Sequence, residues 1–151
     1  MRRWLVPLVP LLATAPLHAQ SSATGVRDLT FGTVIRGVQT SVAATDPVKS
    51  GRFHVRHIQG RQVRLQLTLP NRLDRVGGGG TMNINFGPHD AVARGTAPSS
   101  APFTFNPQAN RLFTLDASPD FYLNLGGRVS PAAGQAAGTY TGTVVLTAIF
   151  F

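Results

Sequence analysis

The last fourteen residues of the chain alternate between two kinds of side chain. From Gly138 to Phe151, even positions carry glycine, aromatic and aliphatic residues, and odd positions carry mostly threonine. Because successive side chains of a strand point to opposite faces, this alternation predicts one apolar face and one polar face. Threonine, valine and aromatic residues favour strands, and no proline interrupts the stretch. We therefore predict a long β-strand here.

A similar alternation earlier in the chain predicts a hairpin. Phe53 and Val55 share one face, as do Val63 and Leu65. A three-residue turn, Ile58-Gln59-Gly60, would pair Val55 with Val63 and Phe53 with Leu65. Glycine suits the third position of such a turn, which needs positive φ.

Other short alternating runs complete an all-β pattern. Glycine and proline supply 16 and 11 residues, which leaves little room for helices. We expect strands at 29–35, 38–43, 110–115 and 121–125, and loops at 71–80 and 87–102. The pattern favours an Ig-like or pilin-like β-sandwich of seven to nine mostly antiparallel strands. The predicted core residues are Phe31, Phe53, Val55, Val63, Leu65, Leu67, Met82, Ile84, Phe86, Leu123, Tyr140, Val144, Leu146 and Phe150.

The first nineteen residues are typical of a secretory signal peptide. Two arginines precede a short apolar run, and small residues lead to Ala19. A membrane anchor is the alternative, but the run is too short for ~30 Å of hydrocarbon, and no later stretch is apolar enough to span a membrane. We expect a flexible segment over 20–28 and one β-sandwich domain over 29–151.

The charge is strongly positive, and cysteine is absent. The chain has 14 lysines and arginines against 6 acidic residues, and removing the leader would leave twelve against six. Such a balance suits anionic cell-surface polymers or lipid head groups, although basic side chains also serve simply as a solvated exterior. No specific nucleic-acid motif is present. The absence of cysteine excludes thiol chemistry and disulfides.

The candidate catalytic and metal-binding groups do not form working patterns. His54 and His57 are three residues apart on a strand, so they would face opposite ways. His89-Asp90 is an isolated pair, and Asp116 and Asp120 fall in a turn-like DASPD segment. We therefore expect no enzymatic activity, no cofactor and no metal.

Two surfaces are candidates for binding. The predicted hairpin would collect Arg52, His54, Arg56 and Arg64 on one solvent-facing side, where they could hold an anionic ligand. The simpler interpretation is the polar side of a half-buried sheet.

The second candidate surface is the end of the chain, which is apolar on both faces. Val145, Ile149, Phe150 and Phe151 would then form an assembly or export contact, unless the strand pairs with 29–35 and is covered internally.

Four segments in order resemble a known family. LTFGTV, LTLP followed by GGGGTMNINF, LNLGGRVSP and GTYTGTVVLTAIF together resemble the secreted bacterial domain of unknown function 4402. The resemblance covers 29–151 and implies an exported β-sandwich similar to fimbrial subunits and to the spore coat protein U domain. It brings no activity and no catalytic residues.

Fimbrial subunits also often have a glycine fourteenth from the end and a penultimate aromatic residue, as Gly138 and Phe150 are here. The resemblance does not extend to an N-terminal donor strand, because 20–28 offers only Val26 as a large apolar residue. We expect an exported structural or surface-assembly protein, secreted, periplasmic or on a bacterial cell surface. Its partners would be copies of itself or an export chaperone. The alternative is a binding module for anionic glycan or lipid head groups.

Overall fold

The computed structural model describes residues 21–58, 60–95, 101–114 and 120–151. The predicted signal peptide and Asp116 lie outside these ranges, as does Gln59 of the predicted turn. Within them the protein is all-β, with thirteen strands and no helix. The strands are β1 Ser22–Arg27, β2 Thr40–Val42, β3 Gly51–Arg56, β4 Gln62–Thr68, β5 Arg72–Arg75, β6 Thr81–Asn85, β7 Ala91–Gly95, β8 Phe103–Phe105, β9 Arg111–Thr114, β10 Asp120–Leu125, β11 Gly127–Ser130, β12 Tyr140–Thr141 and β13 Val145–Phe150.

The strands form three antiparallel sheets. Sheet A has the order β1-β3-β10-β7-β8, sheet B has β12-β5-β6-β11-β2, and sheet C has β13-β4-β9. The chain passes between sheets B and C twice, from β4 to β5 and from β12 to β13. All three sheets contribute to one apolar core, for example Leu123 from sheet A, Ile84 from sheet B and Leu65 from sheet C. The fold is thus a β-sandwich, as predicted.

The predicted core is confirmed. Every predicted core residue lies in the buried cluster or packs against it. The partly buried ones are Phe31, Phe53, Tyr140, Val144, Leu146 and Phe150. The alternation over 138–151 also faces as predicted, although the strand divides into β12 and β13 rather than running unbroken.

The predicted hairpin is wrong. β3 pairs with β1 and β10, whereas β4 pairs with β13 and β9. The chain therefore crosses from sheet A to sheet C between Arg56 and Gln62. Val55 and Val63 are both fully buried, as the pattern required. Equal inward parity is produced by a hairpin and by a crossing alike, so the pattern did not distinguish them.

Other differences concern which segments form strands. Segments predicted as loops or as flexible contain β1, β5 and β7, and β11 was not predicted. With the division of the terminal strand into β12 and β13, the described ranges hold thirteen strands. Conversely, residues 29–35 were predicted as a strand and lie outside regular strands. Leu29, Phe31 and Val34 nevertheless pack against the core. In β7 the buried positions are filled by Ala91, Val92 and Ala93, which are too small to stand out as a core pattern.

The end of β1 is fixed by hydrogen bonds from Arg27 to Ser50. Arg27 Nε donates to the backbone oxygen of Ser50 at 2.7 Å, and its Nη2 donates to Ser50 Oγ at 2.8 Å. The loop that contains Ser50 is ordered by Asp46, whose carboxylate accepts hydrogen bonds from the backbone N–H groups of Lys49 and Val48. These two hydrogen bonds lower the pKa of Asp46.

Gly126 marks the point where the chain leaves sheet A for sheet B. A Cβ here would lie 2.4 Å from the backbone oxygen of Val42 and 2.6 Å from the backbone nitrogen of Ala44. Since both neighbours are backbone atoms, no side-chain rotation can relieve the clash. Only glycine fits between β10 and β11.

We predict that Gly126→Ala destabilises the fold. Forcing a methyl group against this backbone should cost about 2 kcal/mol or more and lower Tm by roughly 5–10 °C. Gly134→Ala is the matched control, because a Cβ at Gly134 meets no atom within 4 Å. Thermal unfolding followed by circular dichroism measures both. Equal Tm values for the two variants would contradict the assigned packing.

Candidate functional site

β13 is an edge strand with an apolar outer face. In the described ranges it pairs with β4 on one side only, from Val145 opposite Thr68 to Phe150 opposite Val63. Its odd positions point away from the core. Val145, Ile149 and Phe151 keep 48%, 46% and 52% of their surface exposed. Residues 29–35 do not pair with it, so the internal alternative of a partner strand at that segment is wrong.

The neighbouring strands extend this apolar surface. Arg64 of β4 lies opposite Ile149 on one side and opposite Leu112 of β9 on the other. Leu112 is half exposed, and the Arg64 guanidinium carbon lies 5.4 Å from the centre of the Phe151 ring. We call Val145, Ile149, Phe151, Leu112 and Arg64 the β13 face. Leu112 was missed because its contribution depends on β9 being the neighbour of β4.

Phe150 belongs to the other side of β13. It packs against the core, and its ring centre lies 4.8 Å from that of His57. Its parity directs it inward, so it does not lie on the outer face with Val145, Ile149 and Phe151.

His57 joins the beginning of the described chain to its end. Its ring is buried, with 6% of its surface exposed. Nδ1 lies 2.6 Å from Ser21 Oγ, and Nε2 lies 3.3 Å from the backbone oxygen of Phe151. A carbonyl oxygen can only accept, so Nε2 carries the proton of this bond. We call these contacts the His57 clasp, and they tie the start of β1 to the end of β13.

Away from the clasp, a groove opens towards the core. Its volume is about 940 Å³, and Gly25 and Arg27 of β1 line it together with Val144, just before β13. Apolar side chains from sheets A and B form its wall, among them Phe53 and Ile84. The clasp therefore lies at the start of β1, and the groove lies at its end.

The predicted arginine face is only partly assembled. Arg52, His54 and Arg56 lie together on the outer side of β3, whereas Arg64 belongs to sheet C. The neighbouring strand β10 adds Asp120 and two residues that the sequence analysis missed, Tyr122 and Asn124, and β7 adds Arg94. The alternation of DFYLNL could have predicted that these β10 residues face outward. It could not have predicted that β10 is the neighbour of β3.

No metal site or membrane helix is found among these residues. His54 contacts Asp120, and His57 contacts Ser21, so the two histidines have separate partners. Over the described ranges, no three His, Asp or Glu side chains are grouped as metal ligands would be. Those ranges also contain no helix with the length and hydrophobicity needed to cross a bilayer.

The fold and its surfaces define a helix-free antiparallel β-sandwich with an apolar edge strand. The chain belongs to the family described as Domain of unknown function (DUF4402), whose sequence model matches residues 21–150. No curated protein and no solved structure matches the chain. The family assignment predicted from the four segments is therefore confirmed.

We predict that His57→Ala loosens the contact between β1 and β13. The substitution removes two hydrogen bonds and the ring contact with Phe150, which should cost about 2 kcal/mol. Amide hydrogen exchange at residues 22–24 should accelerate more than exchange in the central strand β10. His89→Ala is the matched control, since His89 is exposed in a loop. Unchanged exchange in β1 would contradict the role of the clasp.

Proposed function

We propose that the protein is an exported structural subunit, similar in role to fimbrial subunits, that associates with other copies of itself through β13. The observation that carries this proposal is the set of three half-exposed apolar side chains, Val145, Ile149 and Phe151, on one edge strand. The signal-peptide pattern at the N-terminus supports export. The proposal assigns the protein no catalytic activity.

An apolar edge strand promotes association between chains. The unpaired edge of a sheet presents N–H and C=O groups that another strand can take up, and proteins normally protect such edges with charge or proline. β13 has neither along Val145–Phe150. The nearest charge on this face is Arg64, which belongs to the adjacent strand β4, and β1 lies close to β13 without pairing with it.

Strand addition would use both parts of this surface. Backbone groups of β13 that pair with no strand in the described ranges would form hydrogen bonds that provide affinity, and the exposed side chains would provide specificity. Leu112 extends the apolar area towards β9, on the far side of β4. A neighbouring subunit would therefore cover the β13 face as well as pair with its edge.

The N-terminal segment has a different role in this proposal. Residues 22–27 already pair with β3 as strand β1, and Arg27 is fixed by Ser50. Exchange of that segment between subunits would first break these contacts. We therefore propose association at the β13 edge, with β1 remaining in its own subunit.

The test exchanges the outward apolar residues of β13. Ile149→Thr with Phe151→Thr should abolish self-association and change Tm by only a few degrees, because both side chains are half exposed in the isolated domain. Sedimentation velocity over a concentration series measures association, and circular dichroism measures Tm. The matched control is Ile35→Thr with Val48→Thr, which removes exposed apolar groups elsewhere.

Two results would overturn the proposal. One is a native protein that stays monomeric throughout the concentration series. The other is a large fall in Tm for the β13 variant, with association reduced only in proportion to the folded fraction. That second result would show that Ile149 and Phe151 serve the fold of a single chain.

A further inference from the structure

The outer side of sheet A carries an ordered set of cations around one tyrosine. Three adjacent strands contribute: Arg52 from β3, Tyr122 and Asn124 from β10, and Arg94 from β7. Asn124 lies opposite Arg52, and Tyr122 lies opposite Arg94. The two arginines therefore flank β10 on either side, two strand spacings apart, on the order of 10 Å.

The charges of this set are not all equally available. Asp120 Oδ1 lies 3.0 Å from His54 Nε2 and 3.0 Å from Arg56 Nε, so Arg56 already has a carboxylate partner. Arg52 and Arg94 have no ion pair within the ranges that the structure describes. They are the two cations of this face that remain for a ligand.

Arg52 is held in place by stacking. Its guanidinium carbon lies 3.8 Å from the centre of the Tyr122 ring, which also stacks with His54 at 4.9 Å. Arg52 Nε is buried and has no hydrogen-bond partner among the described residues, and the same is true of Asn124 Oδ1. A stacked guanidinium loses less conformational entropy when it binds, and its planar fork matches a carboxylate.

The polarity of the face selects among anionic ligands. Among the described residues, Val26 at the bulge of β1 is the only large exposed apolar residue on the strands of this face, and none lies on β3, β10 or β7, which carry Arg52 and Arg94. A peripheral membrane surface normally inserts such residues into the lipid boundary. Ser22 and Thr24 instead add hydroxyl groups opposite Arg56 and His54. These features favour a hydrated, extended polyanion over a lipid surface.

We propose that Arg52 and Arg94 bind an acidic polysaccharide, each pairing with a carboxylate of the same chain across β10. Tyr122 orients Arg52 by stacking, and Arg56 is paired with Asp120 and so is not assigned to the ligand. This surface is separate from the β13 face, so glycan binding and self-association can be tested independently.

The experiment measures binding of polygalacturonate by isothermal titration calorimetry at about 0.15 M salt, where weak surface pairing is screened. Arg52→Ala with Arg94→Ala should weaken binding at least about tenfold, since two charge-assisted hydrogen-bonded contacts are lost. The matched control is Arg61→Ala with Arg72→Ala, which removes the same charge from exposed positions on other parts of the surface. The control should bind within about twofold of the native protein.

A comparison of two single variants controls for the possibility that the Arg52 variant misfolds. Arg94 is exposed, so Arg94→Ala alone should keep its Tm and still bind more weakly than Arg61→Ala. The same titrations with neutral dextran and with vesicles containing anionic phospholipid identify the ligand class, and both should bind more weakly than polygalacturonate.

Three results would overturn the proposal. The first is a native protein that does not bind polygalacturonate. Equal weakening of the two arginine pairs would reduce the effect to net charge. Stronger, Arg94-dependent binding of anionic vesicles would assign the face to lipid instead. The Ile149→Thr, Phe151→Thr variant should bind polygalacturonate normally, which separates this result from any failure of the assembly proposal.

Discussion

The structure depends on one constraint, the crossing of the chain between β3 and β4. Val55 and Val63 are fully buried, and they belong to different sheets that share one core. Because the chain changes sheet here, β3 and β4 do not pair with each other; β3 lies between β1 and β10, and β4 lies between β13 and β9. This division places the arginines of β3 and β4 on separate surfaces, and in sheet C β13 is an edge strand.

Side-chain alternation predicted which residues face the core, but it did not predict which strands are neighbours. Val55 and Val63 were placed inward correctly and paired wrongly, because inward parity is the same for a hairpin and for a crossing. β1 was missed for a different reason. Its residues are nearly all exposed, so the segment has no apolar pattern, and its strand conformation comes from pairing with β3.

The candidate sites show the same difference. Residues that share one strand could be grouped from the sequence, whereas residues on different strands could be grouped only once the order of strands in the sheet was known. Val145, Ile149 and Phe151 could be assigned from one strand alone, because their shared parity is visible in the sequence. Phe150 was included although its parity opposes theirs. Arg52 and Arg56 also share a strand and stay together. Arg64 lies on a different strand and a different sheet. Tyr122 and Arg94 lie beside Arg52 only because β3, β10 and β7 are neighbours in sheet A.

The pairing of β13 with β4 determines how the domain would carry mechanical force. Six consecutive residue pairs, Val145 to Phe150, form this ladder. Antiparallel hydrogen bonds lie perpendicular to the strands, so a pull along β13 loads them together in shear instead of opening them one at a time. The bond from His57 to Phe151 lies at the far end of the same ladder. A subunit pulled through β13 would therefore pass tension directly into β4, the central strand of sheet C.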